Sequence, residues 1–353
     1  MKQYYIDNFE ITDYVGSKYE TSEMRSIAGE DLIRISNFNI NMWNGDGFFS
    51  FSNPTSIFYG RNESESIFEI IEDGNQLYKG RVSNATLNAD KSTCQINVIS
   101  LIDDIMNRTC VYLKQSITPA QAFYEILVLN GMADYIEPHS YLEAKNHQES
   151  IGLYVDLDYY IDSTATVSSV LQILASMSSC DVFFSNGLIY FQQWFDSENP
   201  NTDNIIPTEF ILGPVQFYND PDNIRNQYVY NITLGSANFP ITDYEIGTDS
   251  RKQWGERSYN AIDLTDGSDI SSIAITGLND AGTDRILRAQ NPQRYCKFTV
   301  LTEDYTYTFT LETIFKFDDL LSELLASDLQ NIAWRVLELK KSDTKIEITG
   351  VLL

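Results

Sequence analysis

Alternation of apolar and polar residues with a period of two constrains this chain more than any other feature. In Thr93–Val98 the apolar set Cys94, Ile96 and Val98 alternates with polar neighbours. A half-buried strand gives that pattern, because successive side chains leave opposite faces of a sheet. Ile67–Ile71 and Gln76–Val82 flank Asp73-Gly74-Asn75, the signature of a tight hairpin. Phe48–Phe51 reads as a further strand after Gly45-Asp46-Gly47. A short helix in which Ile102, Ile105 and Met106 share a face closes this first region. The pattern predicts one mainly-β domain over residues 1–112.

The period then changes to that of helices. Thr118-Pro119 is a helix start, since Thr can accept from an orphan N–H and Pro at the first position loses no bond. Ala122, Phe123, Ile126, Leu127 and Leu129 form the expected apolar face, and Asn130-Gly131 the stop. A second helix starts near Thr164–Thr166, with Val167, Val170, Leu171, Leu174 and Met177 on one stripe that reads as core packing. Asp181–Phe191 follows as a hairpin over Asn186-Gly187. Helix, helix and hairpin make a small α+β domain over 113–205, leaving through the polar stretch Asp196–Asn204.

Strand rows return over 206–353. Tyr228, Tyr230, Ile232 and Leu234 alternate with polar or β-branched partners. Cys296, Phe298 and Val300, then Tyr305, Tyr307, Phe309 and Leu311, read as a long hairpin across Thr302-Glu303-Asp304. A helical stretch near 279–290 ends at Asn291-Pro292, and Trp334–Leu339 with Lys345–Leu352 form a closing hairpin. No strict repeat is visible, but the β–(α+β)–β order points to two similar β domains around an inserted one.

Charge and motif narrow the function. The 353 residues carry 24 Lys+Arg against 50 Asp+Glu, a formal charge of −26. That balance argues against wrapping duplex DNA, where affinity comes from Lys and Arg on phosphates. No apolar run reaches the roughly 20 residues that span a bilayer, so stable membrane insertion is not expected. Met1–Asp7 lacks a signal-peptide core, so export is not expected either. Cys94, Cys110, Cys180 and Cys296 are scattered without a CxxC pair, which argues against a disulfide framework or a zinc ribbon. His139 and His147 lie in a polar stretch with no nucleophile motif beside them. No phosphate loop, nucleophile elbow, dinucleotide fingerprint or HExxH is present. The expectation is therefore no enzyme, with no catalytic, cofactor-binding or metal-ligating residue and no cofactor.

Other residues carry chemistry of their own. Asp156 and Asp158, two apart on a strand, would share a face as a cation pair or glycosidase pair does; a solvent-facing strand needs no such role. Asp263, Asp266 and Asp269 with Gly267 fail the EF-hand spacing and read as turn or cap residues. The 22 Tyr, 19 Phe and 4 Trp fit a glycan platform or subunit interfaces, and their strand rows favour core and interface. Arg225, Arg251, Arg257, Arg285, Arg288 and Arg294 are candidates to pair with acids of a next subunit.

The order of these segments resembles that of the baseplate or tail-tip hub proteins of tailed phages and related contractile injection machines. Three stretches carry the likeness: IFEIIEDGNQLYKGRVSNATLNADKSTCQINVISLIDDI at 67–105, TATVSSVLQILASMSSCDVFFSNGLIYFQQW at 164–194, and 252–353 with its closing WRVLELKKSDTKIEITGVLL. Phe317–Gln330 departs from the family, which has a short loop there, and could be a helix. The resemblance implies a mainly β fold with an α+β insertion: two tail-tube-like β-barrel domains and a small helix–helix–hairpin domain. It implies a homotrimer whose six barrels make a pseudo-sixfold ring. That ring would join a hexameric tail tube or distal tail protein to trimeric tip, spike or fibre proteins. Tape-measure protein and then DNA would pass through its lumen without specific binding, and acidic walls would repel phosphate. The place would be the virion tail tip, after synthesis in the host cytoplasm. Two other classes stay open: a receptor- or carbohydrate-binding tail protein with a clustered aromatic platform, and an envelope glycoside hydrolase with a carboxylate pair in a cleft.

Overall fold

The computed structural model describes residues 2–16, 20–24, 38–72, 74–159, 164–185, 188–193, 204–234, 237–241, 247–258, 262–263, 275–301, 309–318, 332–342 and 345–352. The chain is mainly β, with two curled sheets, antiparallel apart from the short β12 at the edge of the second, and a helical region between their sequences.

The first region contains β1 (Lys2–Ile6), β2 (Phe9–Glu10), β3 (Glu20–Met24), β4 (Phe38–Trp43), β5 (Ile67–Glu72), β6 (Asn75–Leu87), β7 (Thr93–Ser100) and helix α1 (Leu101–Met106). Six strands pair in the order β2-β1-β5-β6-β7-β4. Their inward residues, among them Ile40, Met42, Phe68, Ile70, Cys94, Ile96 and Val98, form one core. The β5–β6 hairpin turns where the sequence predicts it, with Glu72 opposite Asn75 and Gly74 at φ +84°. Phe48–Phe51 is not a strand. The segment coils through successive turns because Asn44 holds it: Asn44 Oδ1 accepts from the Phe49 N–H and its Nδ2 donates to Ser50 Oγ. The coil drops Phe49 and Phe58 into the open end of the sheet.

The middle region contains β8 (Tyr112–Ile117), α2 (Pro119–Leu129), α3 (Pro138–Ser150), β9 (Val155–Tyr159), α4 (Val167–Ser178), β10 (Cys180–Ser185) and β11 (Leu188–Gln193). Thr118 caps α2 by accepting from the Gln121 N–H, and Thr166 and Ser169 cap α4 reciprocally. Leu129 is 69 % exposed rather than part of the apolar face, because the 3.6-residue stripe set by Ile126 and Leu127 continues to position 130. The α3 helix is absent from the sequence reading. Its buried stripe is Ser140, Ala144 and Gln148, too polar to register as amphipathic. The Asn186-Gly187 turn lies outside the described residues, but its arms pair from Cys180 opposite Gln193 to Ser185 opposite Leu188.

The last region contains β12 (Ile205–Ile206), β13 (Gln216–Asp220), β14 (Tyr230–Leu234), β15 (Ala237–Ile241), α5 (Thr248–Trp254), β16 (Ile262–Asp263), α6 (Ile275–Ala289), β17 (Gln293–Leu301), β18 (Ile314–Phe317), β19 (Trp334–Ser342) and β20 (Lys345–Leu352). The main sheet runs β12-β18-β19-β20-β17-β13, and β3 from the first region adds to β19. The expected hairpin of Cys296, Phe298 and Val300 with Tyr305–Leu311 is not what β17 makes: its strand partners are β13 and β20. Residues 302–308 lie outside the described residues; Phe309 and Leu311 are buried in the sheet's core without being strand. Of the departure from the hub pattern, Phe317–Gln330, Phe317 ends β18 and residues 319–330 lie outside the described residues. Helix α6 packs with Tyr228 into the core of the middle region, so that core is shared with the last third of the chain.

Four strands of each main sheet, β5-β6-β7-β4 and β18-β19-β20-β17, repeat one register, while the strands outside them differ: β1 runs antiparallel to β5 and β12 parallel to β18. In β5–β6, Ile67 faces Arg81; in β18–β19, Ile314 faces Arg335. One residue later both β6 and β19 carry a bulge against their partner, between Val82 and Asn84 and between Val336 and Glu338. Beyond the bulges, Asn84 faces Asn97 and Glu338 faces Thr349. On the next strand Asn39 faces Asn97, and Lys297 faces Thr349. The approach is repeated as well. A 3-10 turn at Thr12–Tyr14 leads into a bridge from Val15 to Met42, and one at Thr208–Phe210 into a bridge from Ile211 to Val300. The following N–H donates to the corresponding carbonyl in each, Gly16 to Asn41 and Leu212 to Thr299, both at 2.8 Å.

Candidate functional site

Among the described residues, the chemistry-bearing side chains take structural tasks. Asp156 is buried on β9, and its Oδ1 accepts from the Ser116 N–H at 2.6 Å. Ser116 sits at φ +52° in the irregular part of β8 opposite it. The carboxylate thus satisfies a backbone donor stranded by the break in the ladder, a structural task. Asp266 and Asp269 lie outside the described residues, while Asp263 ends β16. His139 is exposed on α3, and His147 places Nε2 3.6 Å from Asp284 Oδ2 on α6. Among the described residues no group of three His, Cys, Asp or Glu side chains could hold a metal ion.

All four cysteines are buried free thiols. Desolvation pushes the Cys94 and Cys110 thiols up to about 11 and raises Cys296 further, so none of these three is a thiolate at neutral pH. Arg225, Arg251 and Arg257 serve the chain's own backbone. Arg225 Nη1 donates to the Asp222 and Ile224 carbonyls, Arg251 Nη1 to Asn226, and Arg257 Nη1 to Pro221. Asn226, fully buried, ties the same corner to Ser250, Gly255 and Arg257. Arg285 is buried on α6.

The surfaces that stand out are the outward faces of the two repeated sheets. On the first, successive rows across β4, β7 and β6 are Asn39–Asn97–Asn84 and Asn41–Gln95–Thr86, with Trp43 beside Thr93 at the end. Not one of these side chains is charged, in a chain of formal charge −26. On the second, the matching rows are Lys297–Thr349–Glu338 and Thr299–Glu347–Lys340, followed by Leu301–Lys345. Here charges of both signs alternate, with Lys340 Nζ 3.1 Å from Glu338 and Lys345 Nζ 2.9 Å from Glu347. The Lys345 hydrogen bond holds the Glu347 carboxyl below the ordinary range. Sequence reading found the strands but not these rows, because a row joins residues from three strands and exists only once the register is known.

At the rim of the first sheet Trp43, 51 % exposed, stacks on Tyr14, which stacks on Phe48 at 4.9 Å between centroids. Gly45 permits this: a Cβ there would stand 2.3 Å from the Trp43 ring. The Asp46 carboxylate accepts from the Tyr14 hydroxyl, and that bond holds the phenol protonated to higher pH. Along the chain no helix of the described residues is long and apolar enough to cross a membrane.

No protein-family model matches the sequence, and no curated protein matches it. Solved structures do. The 43 kDa tail protein of prophage MuSo2 from Shewanella oneidensis superposes with a TM-score of 0.57 at 12 % identity, over 99 % of this chain and 97 % of that one. A tail protein from Neisseria meningitidis MC58 gives 0.58 at 10 %, over 99 % and 95 %. Prophage tail protein gp18 from Listeria monocytogenes EGD-e gives 0.53 at 14 %, over 97 % and 90 %. From end to end, this chain has the fold of phage tail proteins.

Proposed function

We propose that the chain is a structural hub at the distal end of a phage tail. Three copies form a ring of six quasi-equivalent sheets that joins a sixfold tail tube or distal tail protein to threefold tip, spike or fibre proteins. The observation that carries this reading is the duplication of register: one polypeptide holds two sheets matched to the bulge, so a threefold ring of chains presents sixfold surroundings. The end-to-end likeness to phage tail proteins supports it. The division into 1–112, 113–205 and 206–353 belongs to the same reading, with β3 crossing from the first unit into the sheet of the third.

The role is mechanical and non-enzymatic, in the virion. The ring surrounds the channel for tape-measure protein and DNA. Sheet faces with uncharged rows and charges of both signs offer no array of cations for phosphate to bind, which suits a polymer that must slide. Native mass spectrometry of the full chain at tens of micromolar tests the reading. A trimer is expected; a chain that stays monomeric overturns it.

A further inference from the structure

Among the described residues, the duplicated register leaves one strand edge filled in the second sheet and its counterpart empty in the first. The outer edge of β19 is shared. β18 covers its start, where Phe315 faces Trp334 and Ile314 faces Arg335, and β3 covers its end, from Met24 opposite Glu338 to Glu20 opposite Ser342. On β6, which matches β19, β5 covers as far as Arg81, and among the described residues no strand lies along Asn84–Leu87 on that side. Asn84 and Thr86 are exposed there, and Leu87 is half-buried at the fringe of the first core.

The strand that matches β3 is β13. Each begins four residues after the repeated N–H to carbonyl bond, at Glu20 after Gly16 and at Gln216 after Leu212. β13 is the last strand of its sheet, paired on one side with β17 and on the other with nothing among the described residues. Gln216, Tyr218 and Asn219 are exposed, and Phe217 is half-buried at the fringe of the second core.

The hydrogen-bonding parity of the two edges agrees. The Asn88 N–H donates to the Thr93 carbonyl, so the even-numbered residues of this part of β6 turn their amides toward β7, and Ala85 and Leu87 turn theirs to the open edge. Thr299 accepts from Leu212, so the odd residues of β17 face β13. Tyr218 and Gln216 answer them, and Phe217 and Asn219 turn outward.

We propose that β13 of one protomer adds, antiparallel, to the open edge of β6 in the next protomer, in the register that β3 uses on β19 within the chain. The pairs are Asn219 with Ala85 and Phe217 with Leu87, which exchange backbone hydrogen bonds. Between and beside them, Tyr218 faces Thr86 and Asp220 faces Asn84. The half-buried Phe217 and Leu87 meet, and the fringes of two cores close on each other. The contact is head to tail, and repetition about a threefold axis closes the ring. It rests on the ring reading above and specifies its joint.

Cysteines at Thr86 and Tyr218 test the pairing, since directly opposed residues of a non-bonded pair lie about 4.5 Å apart between Cα atoms, within disulfide reach. The four native thiols are buried and leave little background. On oxidation, T86C/Y218C is expected to run as a covalent closed trimer on a denaturing gel, while either single variant runs as a monomer. A native trimer that does not cross-link, or a disulfide within one chain, overturns the pairing but leaves the ring. A chain that is monomeric before oxidation overturns both. Asn219→Pro gives an independent readout: position 219 loses only its outward N–H, so the folded monomer is expected to keep its circular dichroism and lose trimer at least tenfold in concentration. A trimer undiminished by Asn219→Pro also overturns the pairing.

Discussion

Arg81 shows what a single side chain does in this fold. Its Nε and Nη2 donate to both oxygens of Asp104 at 2.8 and 2.9 Å, tying β6 to the helix that closes the first region. The paired guanidinium holds the Asp104 carboxyl below its ordinary range. A carboxyl whose folded value is depressed stabilises the fold above the unfolded value near 3.9, and that contribution is lost as pH falls through the folded value. Asp104→Asn is therefore expected to lower stability at pH 7 by about 0.2–1 kcal/mol, toward the small end because the side chain is 38 % exposed. The gap to the parent should narrow progressively as pH falls below about 4, as urea melts at a series of pH values from 7 to 2 would measure. A gap that stays constant across that series would mean that packing, not charge, ties α1 down. Nothing in the sequence pairs residues 81 and 104. Cys94 and Cys296, by contrast, were legible as buried thiols from alternation alone, because a residue's face on a strand follows from parity.

Elements were legible where side chains repeat with the period of their own backbone. The α2 and α4 helices have apolar stripes and Thr caps and fall where the sequence predicts them. The α3 helix escaped because its inward residues are polar or small, with Gln148 Oε1 accepting from the Ala120 N–H in place of apolar contact. Phe48–Phe51 misled for the opposite reason. Its aromatics fill the sheet's open end from a coil, and burial without alternation is not evidence of a strand. Helix α6 depends on a detail that composition hides. Gly282 lies against the fully buried Tyr228 ring, where a Cβ would stand 2.4 Å from the ring carbons. Gly282→Ala normally gains helix propensity of about 1 kcal/mol. Here the overlap wins, and a net loss of about 1–3 kcal/mol is expected in thermal or urea unfolding. A stabilised variant would show that α6 can lift from the Tyr228 ring at no cost.

At the scale of the whole molecule, the mainly β fold with its inserted helical part was readable, and the register duplication was not. The matched strands share few identities: Arg81 with Arg335, Ile67 with Ile314 and Ile96 with Ile348 are separated by substitutions such as Asn84 with Glu338 and Trp43 with Leu301. What persists between the halves is backbone pairing and the bulge, which many sequences satisfy. The same contrast bears on assembly. A chain of formal charge −26 repels its copies, whereas strand addition through backbone amides and an apolar Phe217–Leu87 contact carries no net charge to be screened. The screening length falls from roughly 30 Å at 0.01 M salt to about 8 Å at 0.15 M, so the repulsion fades while the joint remains. Trimer is therefore expected to form at lower protein concentration as sodium chloride rises across that range, measured by sedimentation or native mass spectrometry in a volatile salt series. An interface made of ion pairs would weaken over the same range, and dissociation on adding salt would count against a joint built from β13 and β6.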